Sequence, residues 1–149
     1  MLVWRVNSVE CAVPLDRVEE VTQAVAVTPS LGGSSAAMLG YLDLRGRVVP
    51  AFDARRLLGR PAREMQLSDS FVVTASANGL IALLVDQVHG IERVTMTDAP
   101  DGEHVPLGRP DAVTRGRRRL DDGSDTLIAV IDIDRLLSDT EPMTGRHSK

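Results

Sequence analysis

Cysteine, aromatic residues and long apolar runs are all scarce in this sequence, and each scarcity excludes something. A single cysteine, Cys11, among 149 residues rules out an internal disulfide and a multi-cysteine zinc cluster, and suits a reducing compartment. Only Trp4, Tyr41, Phe52 and Phe71 are aromatic, so the core must come from Val, Leu, Ile and Ala, whose β-branched members favour strands. Four rings are also few for a platform on which bases could stack. No apolar stretch approaches the roughly 18 residues that span a membrane. The opening MLVWRVNSVE lacks the basic and long apolar regions of a signal peptide. A cytoplasmic protein with no direct membrane insertion is expected.

Reactive constellations are missing too. The three histidines, His89, His104 and His147, have no metal-like partner at helical spacing. Asp101, Glu103 and His104 cluster, but in a proline- and glycine-rich stretch where a solvated turn is the commoner outcome. Gly33-Ser34-Ser35 is neither a nucleophile elbow nor a phosphate loop. Cys11 stands among apolar strand residues and reads as inert packing. No catalytic residue, cofactor or metal ligand is assigned. The net charge of −4, from 17 basic and 21 acidic residues, offers no general excess for phosphate. The basic run Arg115, Arg117, Arg118, Arg119 is followed at once by Asp121, Asp122 and Asp125, and reads as the approach to a charged β-hairpin.

What remains is a series of short apolar runs separated by turn residues, the pattern of a mainly β barrel or sandwich. Strands are expected at Leu2–Val6, Cys11–Leu15, Val21–Val27, Gly40–Leu44, Val48–Asp53, Ser70–Ala75, Leu80–Val85, Ile91–Met96 and Thr126–Asp132. Asn78-Gly79 is the best hairpin signal, with Asn7-Ser8 in the comparable earlier place. Single helical turns are expected at Leu15–Glu19, Arg55–Leu58 and Asp134–Leu137. Pro29–Ala37 reads as a flexible loop, Asp98–Arg115 as an irregular connection, and the residues from Thr140 as a polar tail.

An internal echo organises these runs. Residues 1–21 lie against 71–91 without a gap, so that Ala12 meets Ala82, Leu15 meets Val85, Asp16 meets Asp86 and Val18 meets Val88. Later, VVPAFDARRLLG (48–59) lies against LIAVIDIDRLLS (127–138), matching Asp53 with Asp132 and Arg56 with Arg135. Two matches in one order point to a strand–turn–strand and strand–short-helix plan used twice, with halves near 1–66 and 70–138. Two closed barrels side by side would leave a groove suited to a partner helix or strand.

Gly40–Asp53, GYLDLRGRVVPAFD, is the most distinctive stretch. Gly46 allows a tight turn, Pro50 marks an edge or bulged strand, and Arg45 at the strand end could present its donors in a fixed direction. In Leu15–Val21, Val18 and Val21 would share one face of a helical turn with Glu20 beside it; Val85-Asp86-Gln87-Val88 is the counterpart.

In order, VEEV, GYLDLRGRVVPAFDARRLLG, ALLVDQV and TLIAVIDIDRLL resemble the CheW-like family of chemotaxis coupling domains over about residues 1–138, leaving 139–149 as tail. The resemblance implies two SH3-like five-stranded barrels with a few short helices, their strands open to exchange. It also implies a non-enzymatic adaptor that joins a CheA-type histidine kinase regulatory domain to a chemoreceptor cytoplasmic tip or equivalent sensor. By position it assigns Arg45 as the motif arginine and Glu20 as its partner, with Val18, Val21, Gly40, Gly46, Val85, Asp86 and Val88 in or near contact surfaces. The alternative from another class is a small barrel that binds single-stranded nucleic acid.

Overall fold

Residues 1–23, 27, 37–61, 63–97 and 107–138 are described by a computed structural model of the chain. The expected loop up to residue 36, the acidic cluster with His104, the Gly33–Ser35 stretch, and the tail with His147 lie outside them. Eleven strands form among the described residues: β1 (Leu2–Val6), β2 (Val9–Val13), β3 (Val18–Gln23), β4 (Met38–Leu44), β5 (Arg47–Asp53), β6 (Ser70–Ser76), β7 (Gly79–Val85), β8 (Gln87–Ile91), β9 (Thr95–Met96), β10 (Val113–Arg119) and β11 (Asp125–Ile131). Two short helices follow β5 and β11: α1 (Ala54–Leu57) and α2 (Ile133–Leu137). Each starts on an aspartate, Asp53 or Asp132, whose side chain accepts a backbone N–H of the first turn.

The mainly β class is as expected, but the two sheets do not follow the two halves of the sequence. One sheet runs β3-β6-β7-β5-β4 and the other β8-β1-β2-β11-β10-β9, the sixth strand being the two-residue β9. Each half therefore gives its first hairpin to the sheet that the other half completes. The echo survives the exchange. β5 joins β7 in parallel with Ala51 opposite Ala82, and β11 joins β2 in parallel with Val130 opposite Ala12, which are equivalent pairs in the repeat.

Burial explains why β1 and β7 read as nearly unbroken apolar runs: both faces are covered. Leu2, Trp4 and Val6 of β1, with Ile81, Leu83 and Val85 of β7, enter one large core that also takes Phe52, Leu57, Leu136 and Leu137. Ala82 and Leu84 turn the other way, into a cluster with Leu42, Val49, Phe71 and Val73. Val3 and Ala12 join Ile128 and Val130 in a third. The largest core thus lies between the sheets and uses both short helices. It occupies the space where a groove between barrels was expected, because neither sheet can leave that apolar face in water.

Three local expectations need correction. The turn after Pro14 is a 3-10 turn of only Leu15–Arg17, and the chain is already extended at Val18. Val18 and Val21 consequently share no helical face; Val18 packs on the central core while Val21 is exposed. The strand placed at Ile91–Met96 is instead two pieces: β8 runs Gln87–Ile91, its ladder to β1 pairing Arg5 with Gln87 and Leu2 with Ile91, and β9 is only Thr95–Met96. The Asp98–Arg115 connection ends in a 3-10 turn, Pro110–Ala112, that leads into β10.

Four arginines hide β10 from any reading by alternation, and its Gly116 is set by packing. A Cβ there would lie 2.7 Å from Val94 Cγ1, 3.2 Å from Val130 and 3.3 Å from Ile128. Gly116→Val is expected to cost about 1–3 kcal/mol through overpacking of this small core. A thermal melt checks it; an unchanged midpoint would mean that Val94 simply swings away.

Candidate functional site

The turn between β4 and β5 consists of Arg45 and Gly46, with φ of 52° and 89°. Left-handed backbone at both positions is what a two-residue hairpin turn needs, and Gly46 supplies it without steric cost. The Gly46 N–H donates to Asp43 Oδ1 at 2.9 Å, bracing the turn. Arg45 therefore projects from a fixed base. Its guanidinium pairs with Glu20 on β3, and beside it Arg47 Nη2 lies 3.1 Å from Glu19 Oε2. Because β3 and β4 stand at opposite ends of their sheet, these pairs show that the sheet curls until its ends approach. Arg45 remains 74% exposed along its side chain and Glu20 21%, so the pair leaves most of the guanidinium open to a partner. Val21 and Val48, two exposed aliphatic side chains, stand on the strands that carry these charges.

Other expected contact residues are placed elsewhere. Gly40, buried with φ of 142°, sits at a bulge in β4 against β5, where the register shifts after Met38. Val85 is wholly buried in the central core. Val18 and Val88, equivalent in the repeat, are half-buried and both pack on that core, Val88 from the other sheet. The structure thus brings Glu20, Val21, Arg45 and Gly46 into one neighbourhood and separates the remaining five from it.

Asp86 belongs to a group that the sequence did not disclose. The Arg55 guanidinium is fully buried and reaches three carboxylates: Asp53 Oδ1 at 3.2 Å, Asp86 Oδ1 at 2.6 Å and Asp69 Oδ2 at 3.5 Å. Arg63 Nη2 adds contacts to Asp69 Oδ1 at 2.8 Å and Asp86 Oδ1 at 3.3 Å. Backbone N–H groups of Asn7 and Gln66 donate to Asp86 Oδ2 and Asp69 Oδ2, at 2.7 and 2.8 Å. Three carboxylates and two guanidiniums leave one negative charge, which these N–H dipoles offset. Burial pushes the Asp53 carboxyl up, against the opposing pull of Arg55. Burial also acts on Asp69, but the hydrogen bonds from Arg63 and Gln66 and the nearby guanidinium charges outweigh it and hold that carboxyl below its usual value. The centre ties β5–α1, the 63–69 loop, the end of β7 and the β1–β2 turn together. Charge proximity more than aligned hydrogen bonding holds it, since Arg55 Nη2 and Asp86 Oδ1 meet at 2.6 Å without hydrogen-bond geometry.

The six-stranded sheet has its own ion pair across strands. Arg118 of β10 grips both oxygens of Glu10 on β2, at 2.7 and 2.8 Å, and His89 Nε2 lies 3.6 Å from Glu10. Burial, aided by the neighbouring Glu10 charge, pushes the Cys11 thiol far above its usual range and keeps it unreactive. No group of three or more His, Cys, Asp or Glu suited to a metal occurs among the described residues, and none of the described helices is long and apolar enough to cross a membrane.

Two β subdomains that exchange hairpins around one shared core, the five-stranded one with its ends bridged by charge pairs, define the class of fold. The chain belongs to the CheW-like domain family, whose model matches residues 1–141. It is 26% identical over 141 residues to a probable chemotaxis protein CheW of Rhizobium etli, covering 95% of this chain and 88% of that protein. Against the chemotaxis protein CheW of Thermotoga maritima the identity is 25% over 145 residues, covering 97% and 91%. Chemotaxis protein CheV2 of Helicobacter pylori is 29% identical over 129 residues; this chain spans only 39% of its length. The crystal structure of the scaffolding protein TtCheW from Thermoanaerobacter tengcongensis superposes with a TM-score of 0.74 at 19% identity, covering 91% of this chain and 90% of that one, and shares the fold.

Proposed function

We propose that this chain is a non-enzymatic cytoplasmic adaptor that couples a chemoreceptor-type sensor to a CheA-type histidine kinase. Membership of the CheW-like family supports this, as do the chemotaxis and scaffolding names of its relatives. The observation that carries the site is the Arg45–Glu20 pair: a largely exposed guanidinium, aimed by a rigid left-handed turn, with aliphatic Val21 and Val48 on the same strands. A central interface arginine of this kind is a common anchor of protein contacts. Val18, Gly40 and Val85 act behind that surface, within the sheet that presents it, whereas Asp86 and Val88 lie away from it. Nucleic-acid binding is poorly served, because Trp4, Phe52 and Phe71 are buried and only Tyr41 is exposed.

Arg45→Asn tests the assignment while keeping a side chain that tolerates left-handed backbone. Stability should change by about 1 kcal/mol or less, as for other exposed ion pairs. Affinity for a CheA-type regulatory domain should fall by about 2 kcal/mol or more, roughly thirtyfold, in a calorimetric titration. Unaltered affinity with a large loss of stability would make Arg45 a structural residue instead.

A further inference from the structure

The repeat creates the same demand twice and meets it with different residues. Asn7 and Ala77 are equivalent, each opening the two-residue turn of an exchanged hairpin, and each has a backbone N–H that points at a carboxylate. Asp86, which follows β7 of the five-stranded sheet, accepts from Asn7 in the six-stranded one at 2.7 Å. Asp134, on the helix that follows β11 of the six-stranded sheet, accepts from Ala77 in the five-stranded one, also at 2.7 Å. Both carboxylates therefore cross between the subdomains. They are not equivalent in the repeat, where Asp86 matches Asp16 and Asp134 matches Arg55.

Their settings differ in a way that decides which can open. Asp86 is 12% exposed and lies against wholly buried Arg55; separating them would leave a charge without water or partner. Asp134 pairs with Arg17 at 3.1 Å, and the Arg17 and Asp134 side chains are 39% and 42% exposed. Such a pair keeps much of its hydration, so breaking it costs little, and added salt screens it. Water reaches it through a cleft of about 310 Å³ bounded by Pro14, Arg17, Thr114 and the Val130–Asp134 stretch. Arg17 also donates to the Ala75 carbonyl from Nε and Nη2, at 3.2 and 3.0 Å, while its own carbonyl accepts from Thr74 Oγ1 at 2.8 Å. The Leu15–Arg17 turn, the end of β6 and α2 thus meet at this one contact.

We propose that Arg17–Asp134–Ala77 is a releasable local latch, joining α2 to the Leu15–Arg17 and β6–β7 turns at the rim of the shared core, while the Arg55–Asp86–Asn7 contact stays fixed. Release loosens the Leu15–Arg17 turn, which leads directly into β3 and Glu20, together with the β6–β7 turn. The Asn7 turn stays held. The latch is a property of the free chain and goes beyond the adaptor reading, so it stands or falls separately.

Amide hydrogen exchange on the full chain tests it. Asp134→Ala should speed exchange at the Ala77 and Arg17 amides by about tenfold or more while leaving Asn7 nearly unchanged, the pattern of a local opening. Asp134→Asn, which keeps an oxygen for Ala77 but loses the charge, should speed Arg17 more than Ala77. In the unmodified chain, about 0.5 M NaCl should favour the same opening by screening the pair. An equal rise at Asn7 would mean global loosening, and no change at Arg17 would mean that the two ends of the contact are uncoupled. Either result overturns the latch.

Discussion

Arg55→Ala should be the most damaging single change at a charged position, lowering stability by about 3–5 kcal/mol. A domain with a total margin of about 5–15 kcal/mol would lose much of its folded population. The cause is not the loss of attraction alone. Asp53 is almost inaccessible and without the guanidinium would be left with its charge poorly compensated, whereas Asp69 would keep Arg63 and the Gln66 N–H. Asp86 would lose its 2.6 Å partner while still fixing the Asn7 turn. Arg56, the exposed neighbour on the same helical turn, is the control: Arg56→Ala should stay within about 0.5 kcal/mol. Urea unfolding midpoints separate the two variants. A loss below about 1 kcal/mol for Arg55→Ala would mean that water or rearrangement relieves the centre. The centre's response to pH is split. Asp69, whose folded carboxyl is held low, contributes stability that is lost as pH falls through that lowered value. Asp53, raised by burial, takes up a proton more readily when folded, so its ionisation costs stability as pH rises.

Much of the fold was legible because strands announce themselves locally. β1, β4, β5, β6, β7 and β11 lie within two residues of where alternation and turn residues put them. The repeat was legible for the same reason, since it compares one local pattern with another. What pairs with what was not local. The exchange of β1–β2 for β6–β7 depends on the parallel junctions Val130–Ala12 and Ala51–Ala82, which join residues far apart in the chain. β10 was missed because its arginines face solvent and an ion pair instead of alternating with apolar residues, while its one fully buried position is glycine. At the candidate site, Arg45-Gly46 and Glu20 were readable from turn chemistry and resemblance, whereas the role of Asp86 was not. A carboxylate at a strand end looks the same in sequence whether it faces a partner or a buried arginine. Arg55 was harder still, because in ARRL only the orientation of a single helical turn decides which arginine goes inward.

Trp4→Ala is the other change expected to have a large effect, about 3–5 kcal/mol, and it probes whether the two subdomains can exist apart. Trp4 is fully buried in the core that Phe52, Leu83 and Val85 enter from the five-stranded sheet and Val6, Cys11 and Ile131 enter from the six-stranded one. A cavity there is shared property: neither sheet can close over it without moving against the other. The indole Nε1 has no hydrogen-bond partner among the described residues, so Trp4→Phe orphans no acceptor and should cost far less than the alanine variant. Trp4 is also the single tryptophan, which makes its fluorescence a reporter from the common core. In the unaltered chain the loss of that signal should coincide with the loss of strand signal in circular dichroism, as one cooperative transition. If fluorescence changed at lower temperature than the strand signal, the subdomains would unfold independently, and the hairpin exchange would join them in sequence without joining them in stability.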